Sequence, residues 1–125
     1  MNWKTLKAGD VVDIIAPGYG MTRAELKQVR EYIKSLGLIA NIPQNISGSD
    51  LFCSNSDSDR LRQLKQALTN SQSKAIWCAR GGYGSAKLIP MLEQIKLPKQ
   101  QKIFIGFSDI TALHIYLNQK WGWNT

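Results

Sequence analysis

The sequence is short of the residues that most often announce a chemistry: among 125 residues it has one histidine and two cysteines. Cys53 and Cys78 are too few and too far apart to read as a disulfide framework or a Cys-pair metal site, and no metal is expected. Cys78 lies inside the apolar stretch Ala75-Ile76-Trp77-Cys78-Ala79 and reads as a reduced core cysteine. No apolar run approaches the length that crosses a bilayer, which excludes a membrane span. The first ten residues lack the apolar segment and small-residue cleavage site of a secretory signal, so the cytoplasm is the simplest compartment.

What is present is ordinary for a globular protein: 43% hydrophobic and 20% charged residues, in a length that suits one domain over 1–125. The formal net charge of +7 and pI near 9.6 would suit nucleic acid, an anionic surface or an anionic small substrate. Lys and Arg are scattered through the helical segments with no basic run and no stripe interleaved with aromatics. The expectation is therefore a solvated basic surface and no nucleic-acid partner.

Along the chain, strand and helix patterns alternate. Val11-Val12-Asp13-Ile14-Ile15-Ala16 is a β-branched run stopped by Pro17-Gly18-Tyr19-Gly20. Leu26, Val29, Ile33 and Leu36 then recur at helical spacing, with Thr22 and Glu25 placed as a capping box and Gly37 as the stop. Residues 38–42 form a short strand closed by Pro43, and residues 44–56, rich in Asn, Ser and Gly, form a loop. Leu61, Leu64 and Leu68 mark a second helix over 57–68, and residues 74–79 a third strand. The loop Arg80-Gly81-Gly82-Tyr83-Gly84 follows. Residues 85–95 read as helical with Pro90 awkwardly inside, so that the helix could begin later. Residues 102–106 are the fourth strand and 109–121 the fourth helix. Trp3, Trp121 and Trp123 add apolar area at the ends. Continuous apolar strands alternating with helices predict an α/β fold: an open, mostly parallel sheet with helices on both faces, a Rossmann- or flavodoxin-like three-layer sandwich. Ligands of such sheets gather at the carboxyl ends of the strands, here residues 17–20, 80–84 and 107–109.

The stretch Gly106-Phe107-Ser108-Asp109-Ile110-Thr111 runs a strand into a helix with a serine at the joint. A tight turn there lifts the hydroxyl clear of the sheet, the helix N-terminus favours developing negative charge, and the next N–H can face an oxyanion. The general elbow motif is half matched, because Ile110 stands where a second glycine is usual. On spacing alone a helix cap by the Ser108 hydroxyl is the commoner arrangement. Glycines in 80–84 let a backbone approach a ligand and aim N–H groups at an anion, or simply make a tight turn. They lack the spacing and Lys-Ser/Thr ending of a P-loop, and Gly18-Tyr19-Gly20 lacks the third glycine of a dinucleotide fingerprint.

Taken together, Gly9-Asp10 before a strand ending in Ala16-Pro17, Asp59-Arg60 opening a helix, Arg80-Gly81-Gly82-Tyr83-Gly84, and Gly106-Phe107-Ser108-Asp109-Ile110-Thr111-Ala112-Leu113 resemble the LD-carboxypeptidases. That family includes muramoyltetrapeptide carboxypeptidases and microcin C immunity proteins. The resemblance covers the whole chain and implies a cytoplasmic serine peptidase of peptidoglycan recycling, with no cofactor. It would use a Ser-Glu-His triad to remove a D-amino acid, typically D-alanine, from a murein tetrapeptide. Ser108 matches the nucleophile; the N–H of Asp109 and one from Gly81 or Gly82 match the oxyanion hole; Arg80 and Tyr83 are candidates for substrate binding.

The family's glutamate and histidine lie in a C-terminal domain that this chain does not reach. His114, six residues past Ser108 on the same predicted helix, lies about 9 Å along the axis and about 240° around it, too far to serve as base. Glu25, Glu31 and Glu93 fall within helices away from the elbow. The domain alone is therefore expected to be inactive, with the C-terminal domain as its partner and a homodimer of the full-length form left open. The alternative is a non-catalytic α/β module that binds an anionic peptide or nucleotide through its glycine loops.

Overall fold

The computed structural model describes residues 4–125, so Trp3 lies outside the described residues. Four strands form one sheet: β1 (Val11–Ile15), β2 (Ile39–Asn41), β3 (Ser73–Cys78) and β4 (Ile103–Ile105), in the order β2-β1-β3-β4 with every pairing parallel. Helices α1 (Arg23–Ser35), α2 (Asp57–Thr69) and α4 (Thr111–Trp121) and a single turn, α3 (Ile89–Leu92), make the crossovers. The predicted α/β sandwich is the observed architecture.

Alternation along the strands divides the core between the two faces of the sheet. Val12, Ile14, Ala16 and Ala75 pack with Ile33, Leu26 and Val29 of α1. Ile15, Ile76, Cys78 and Phe104 pack with Leu64 and Leu68 of α2 and with Leu113 and Leu117 of α4. Each such aliphatic side chain contributes about 1.5–3 kcal/mol by leaving water. Burial of Cys78 pushes its thiol far above the usual range, so it packs as a small apolar residue.

α1 has both ends written in the sequence. The Thr22 hydroxyl accepts from the Glu25 N–H while the Glu25 carboxylate accepts from the Thr22 N–H at 2.7 Å, and Gly37 follows at φ +74°. Residues 85–95 depart from the expected helix. Ser85–Leu88 form a 3₁₀ turn, and only Ile89–Leu92 are α-helical, with Pro90 at the start where its missing N–H costs no bond. The fourth helix likewise begins at Thr111, after a 3₁₀ turn over Ser108–Ile110.

Two cations correct the expectation of an entirely solvated basic surface. Arg60 is 1% exposed and Lys102 is 2% exposed. Lys102, just before β4, donates to the carbonyls of Ala67 and Asn70 and to the Ser73 hydroxyl, with its Nζ 3.7 Å from the buried Asp13 carboxylate. Burial pulls the Lys102 ammonium below its ordinary range, and Asp13 opposes that shift. Asp13 also accepts from Asn41, Asn70 and Ser73, so its charge is surrounded by donors inside the sheet.

Candidate active site

Three connections converge at the carboxyl ends of β1, β3 and β4, where an open α/β sheet binds its ligands. β4 ends at Ile105, and Gly106 then passes close to the 3₁₀ turn before α4: a methyl on its Cα would collide with the Ile110 side chain and lie 3.3 Å from the Cys78 Cβ. Phe107 is extended at φ −150°. Ser108 follows at φ +56° and is the sole non-glycine residue in the left-handed region among the described residues. A left-handed serine costs roughly 1–2 kcal/mol, and such strain persists only where the surrounding structure enforces it.

That conformation turns the Ser108 side chain outward. The residue is exposed, and neither the 3₁₀ turn nor α4 has a side-chain cap. The cap arrangement that spacing favoured is thus not the one adopted. Asp109 instead ties the turn to its neighbour: its Oδ2 accepts from the Ser85 N–H at 2.9 Å, and its carbonyl accepts from the Ser85 hydroxyl at 2.5 Å.

The glycine loop lies directly against the serine. A Cβ on Gly81 would sit 2.9 Å from the Ser108 Cβ and 3.3 Å from its Oγ, so only a glycine allows this approach. The Gly81 carbonyl accepts from the Tyr19 N–H at 3.0 Å, which joins the loop to the β1 connection. Gly82, at φ +112°, passes over the Tyr19 ring so closely that a Cβ there would collide with it. Gly18 is confined too, since its Cβ would come within 2.5 Å of the Gly81 carbonyl and 3.0 Å of the Asp109 carboxylate. Ser108, Asp109, Gly81 and Gly82 are therefore brought together as one cluster.

Arg80 and Tyr83 flank that cluster. The Arg80 guanidinium lies 6.0 Å from the centre of the Tyr19 ring and 3.7 Å from the Glu25 carboxylate. Tyr83 is 56% exposed and its ring stands 5.5 Å from the Lys87 ammonium. A depression of about 560 Å³ beside Arg80 is bordered by Tyr19, Thr22, Glu25 and the exposed Leu51 and Phe52. A second concavity, about 660 Å³, lies at the opposite end of the sheet, near Lys74, Lys99 and Trp121, away from Ser108.

His114 faces the sheet: its Nε2 is 3.2 Å from the Gly106 carbonyl, and its ring stands edge-on to Phe104. Glu25 is committed to Thr22, whose backbone N–H, hydroxyl and neighbouring Arg80 hold its carboxyl below the usual range. Among the described residues, no cluster of three or more His, Cys, Asp or Glu could hold a metal, and no helix is long and apolar enough to cross a membrane. Reading the sequence singled out the turn and the glycine loop but assigned nothing to Tyr19, Ser85 or Arg60. For Arg60 the one signal was its place in the Asp59-Arg60 pair.

Comparison with known proteins bears on the family and the fold. The chain is 39% identical over 114 residues to a putative carboxypeptidase of Rickettsia conorii, covering 91% of this chain and 36% of that protein. It is 30% identical over 119 residues to a probable murein peptide carboxypeptidase of Bacillus subtilis, covering 95% of this chain and 37% of that protein. The chain thus spans about a third of the length of the curated relatives it matches. Among solved structures, an MccF-like protein from Bacillus anthracis superposes with a TM-score of 0.86 at 28% identity, covering 98% of this chain and 38% of that one. The microcin C7 self-immunity protein MccF, in a complex with adenosine monophosphate, shares the fold with a TM-score of 0.86 at 20% identity, over 98% of this chain and 37% of that one. Residues 12–125 match the model of the LD-carboxypeptidase N-terminal domain, and the chain belongs to that family.

Proposed function

We propose that this domain supplies the nucleophile and the oxyanion donors of a serine LD-carboxypeptidase that releases a terminal D-amino acid, typically D-alanine, from a murein tetrapeptide. The observation that carries the reading is Ser108: a strained, exposed serine between β4 and α4, with no capping role and with Gly81 against it.

In this mechanism the Ser108 hydroxyl attacks the carbonyl carbon of the bond between the L-centre and the terminal D-residue, giving its proton to a base. The carbonyl oxygen becomes an oxyanion that accepts hydrogen bonds from the N–H of Asp109 and from that of Gly81 or Gly82, near the positive end of α4. Collapse breaks the C–N bond, and the returning proton goes to the departing amine. Water then hydrolyses the acyl-serine, with the same base accepting its proton. Arg80 and Tyr83 border the cleft, and the Arg80 guanidinium suits the substrate's carboxylate.

The base is a histidine oriented by a glutamate, both from a C-terminal domain outside this chain. His114 is bonded to the Gly106 carbonyl and Glu25 to Thr22, so neither is free to serve. That domain also forms the second wall of the cleft, over the exposed Tyr19, Tyr83 and Phe107.

The test is release of D-alanine from L-alanyl-D-glutamyl-diaminopimelyl-D-alanine by this chain alone and by the chain joined to a family C-terminal domain. Turnover is expected only from the joined form. Tight binding of the peptide by the joined form without release would favour a binding module.

A further inference from the structure

We propose that Arg60 is a positioning residue for this site: its buried guanidinium clamps the loop that carries the oxyanion donors, and so sets their place relative to Ser108. The role rests on the serine-peptidase reading above and adds a residue to it.

Arg60 is the fourth residue of α2 and points toward the carboxyl ends of the strands. Its Nη1 donates to the Pro17 carbonyl and, at 3.0 Å, to the Gly84 carbonyl; its Nε donates to the Asn55 carbonyl at 3.1 Å. Its Nη2 pairs with Asp57, a carboxylate half open to solvent. The three carbonyls belong to three separate segments: the exit of β1, the end of the 42–56 loop and the end of the glycine loop.

A cation buried this deeply is costly unless every donor is used, and an apolar side chain would fill the same volume without that cost. What only a planar fork provides is simultaneous, directional contact with carbonyls on different segments. Gly84 shows how closely the loop lies on it: at φ +110°, a Cβ would sit 3.1 Å from Arg60 Nη1 and 2.7 Å from Cys53 Sγ.

The clamp continues to the reaction centre. Pro17 leads into Gly18 and Tyr19, and the Tyr19 N–H holds the Gly81 carbonyl at 3.0 Å. Gly84 leads into Ser85, which is bonded to Asp109. Arg60 therefore fixes one end of each of two segments whose other ends meet at Gly81, Ser108 and Asp109. It touches neither Ser108 nor the cleft, and its effect is carried by backbone.

The experiment uses the full-length carboxypeptidase carrying this chain, with Arg60→Lys and, as a milder change at an exposed partner, Asp57→Asn. A displacement of the donors by about 1 Å can cost on the order of 100-fold in rate. For Arg60→Lys the expected result is a fall in kcat of about 10-fold or more with KM changed less than about threefold, since the donors act on charge that develops in the transition state. Asp57→Asn should show a several-fold loss in the same direction. Rates are taken per folded molecule, well below each variant's melting temperature, and amide exchange should speed up at Tyr19 and Ser85. A residue that only supported the fold would lower the melting temperature and leave kcat per folded molecule unchanged; that result overturns the proposal. If Arg60→Lys fails to fold, Asp57→Asn decides alone, and an unchanged kcat and unchanged exchange there overturn it equally. Ser108→Ala, assayed in parallel, separates the two claims: an active Ser108→Ala defeats the peptidase reading, whereas an inert one with unaffected Arg60 and Asp57 variants defeats only the clamp.

Discussion

Gly81 and Ser108 are packed so closely that a methyl group on the Gly81 Cα would lie 2.9 Å from the Ser108 Cβ. A side chain at position 81 therefore cannot be fitted without displacing the loop or the serine. Gly81→Ala should lower kcat by about 100- to 1,000-fold, the loss associated with one misplaced oxyanion donor, and raise KM far less. Steady-state kinetics on the chain joined to a family C-terminal domain provide the check. Gly82→Ala carries an added penalty of roughly 1–2 kcal/mol in stability, because its φ of +112° is hostile to a side chain and the Tyr19 ring blocks the space. A change confined to KM at both positions would assign the loop to substrate binding.

The Asp13–Lys102 pair predicts a stability effect unconnected with catalysis. Lys102→Met leaves a buried carboxylate without its cation and should cost about 3–5 kcal/mol, as for breaking other buried pairs. Asp13→Asn in the same chain should recover part of that loss, because the stranded charge is gone. Urea unfolding of the single and double variants measures both, and equal stabilities would show that the pair contributes nothing.

Acid should destabilise the domain through carboxylates that cap backbone. Asp50 accepts from the N–H groups of Phe52 and Cys53, which hold its carboxyl below the ordinary value of 3.8. Asp59 is lowered by Arg62 and Ser56, and Glu25 by Thr22. The unfolded chain binds these protons first as pH falls, so the stabilisation is complete above the ordinary carboxylate values and drains away as pH drops through the lower folded values. Melting temperature should therefore fall between about pH 5 and pH 2. Asp50→Asn, which has no proton to take up there, should flatten that slope, and an unchanged slope would exclude Asp50 as a contributor.

Local chemistry was the legible part of the sequence. Thr22, Glu25 and Gly37 mark α1 because capping involves neighbours in the chain, and the continuous apolar runs between helices pointed to a parallel sheet because such strands are buried on both faces. The joint at Ser108 was visible as a strand meeting a helix, but its left-handed backbone was not. Nothing in the residue type announces φ of +56°, and the close approaches of Gly106 to Ile110 and of Gly81 to the serine are made by residues distant or unmarked in the sequence pattern. Pro90 pointed to a helix that begins later than residue 85, as it does at Ile89, but not to the 3₁₀ turn that fills residues 85–88. The burial of Arg60 and Lys102 is not legible in the sequence, because their partners lie up to 43 and 89 residues away, at Pro17 and Asp13, where no periodicity connects them.

The proposed role of Ser108 as nucleophile is open to a direct check by Ser108→Ala in the chain joined to a family C-terminal domain. Replacing the serine removes the attacking oxygen while leaving Gly81, Asp109 and the backbone donors in place, and a strained left-handed position loses little by the exchange. The measurement is D-alanine release from the murein tetrapeptide by wild type and variant at matched concentration, with melting curves on the same samples. The expected result is a loss of about 10⁶-fold in kcat, with the variant's stability within about 1 kcal/mol of wild type. Near-normal release of D-alanine by a folded Ser108→Ala would contradict it.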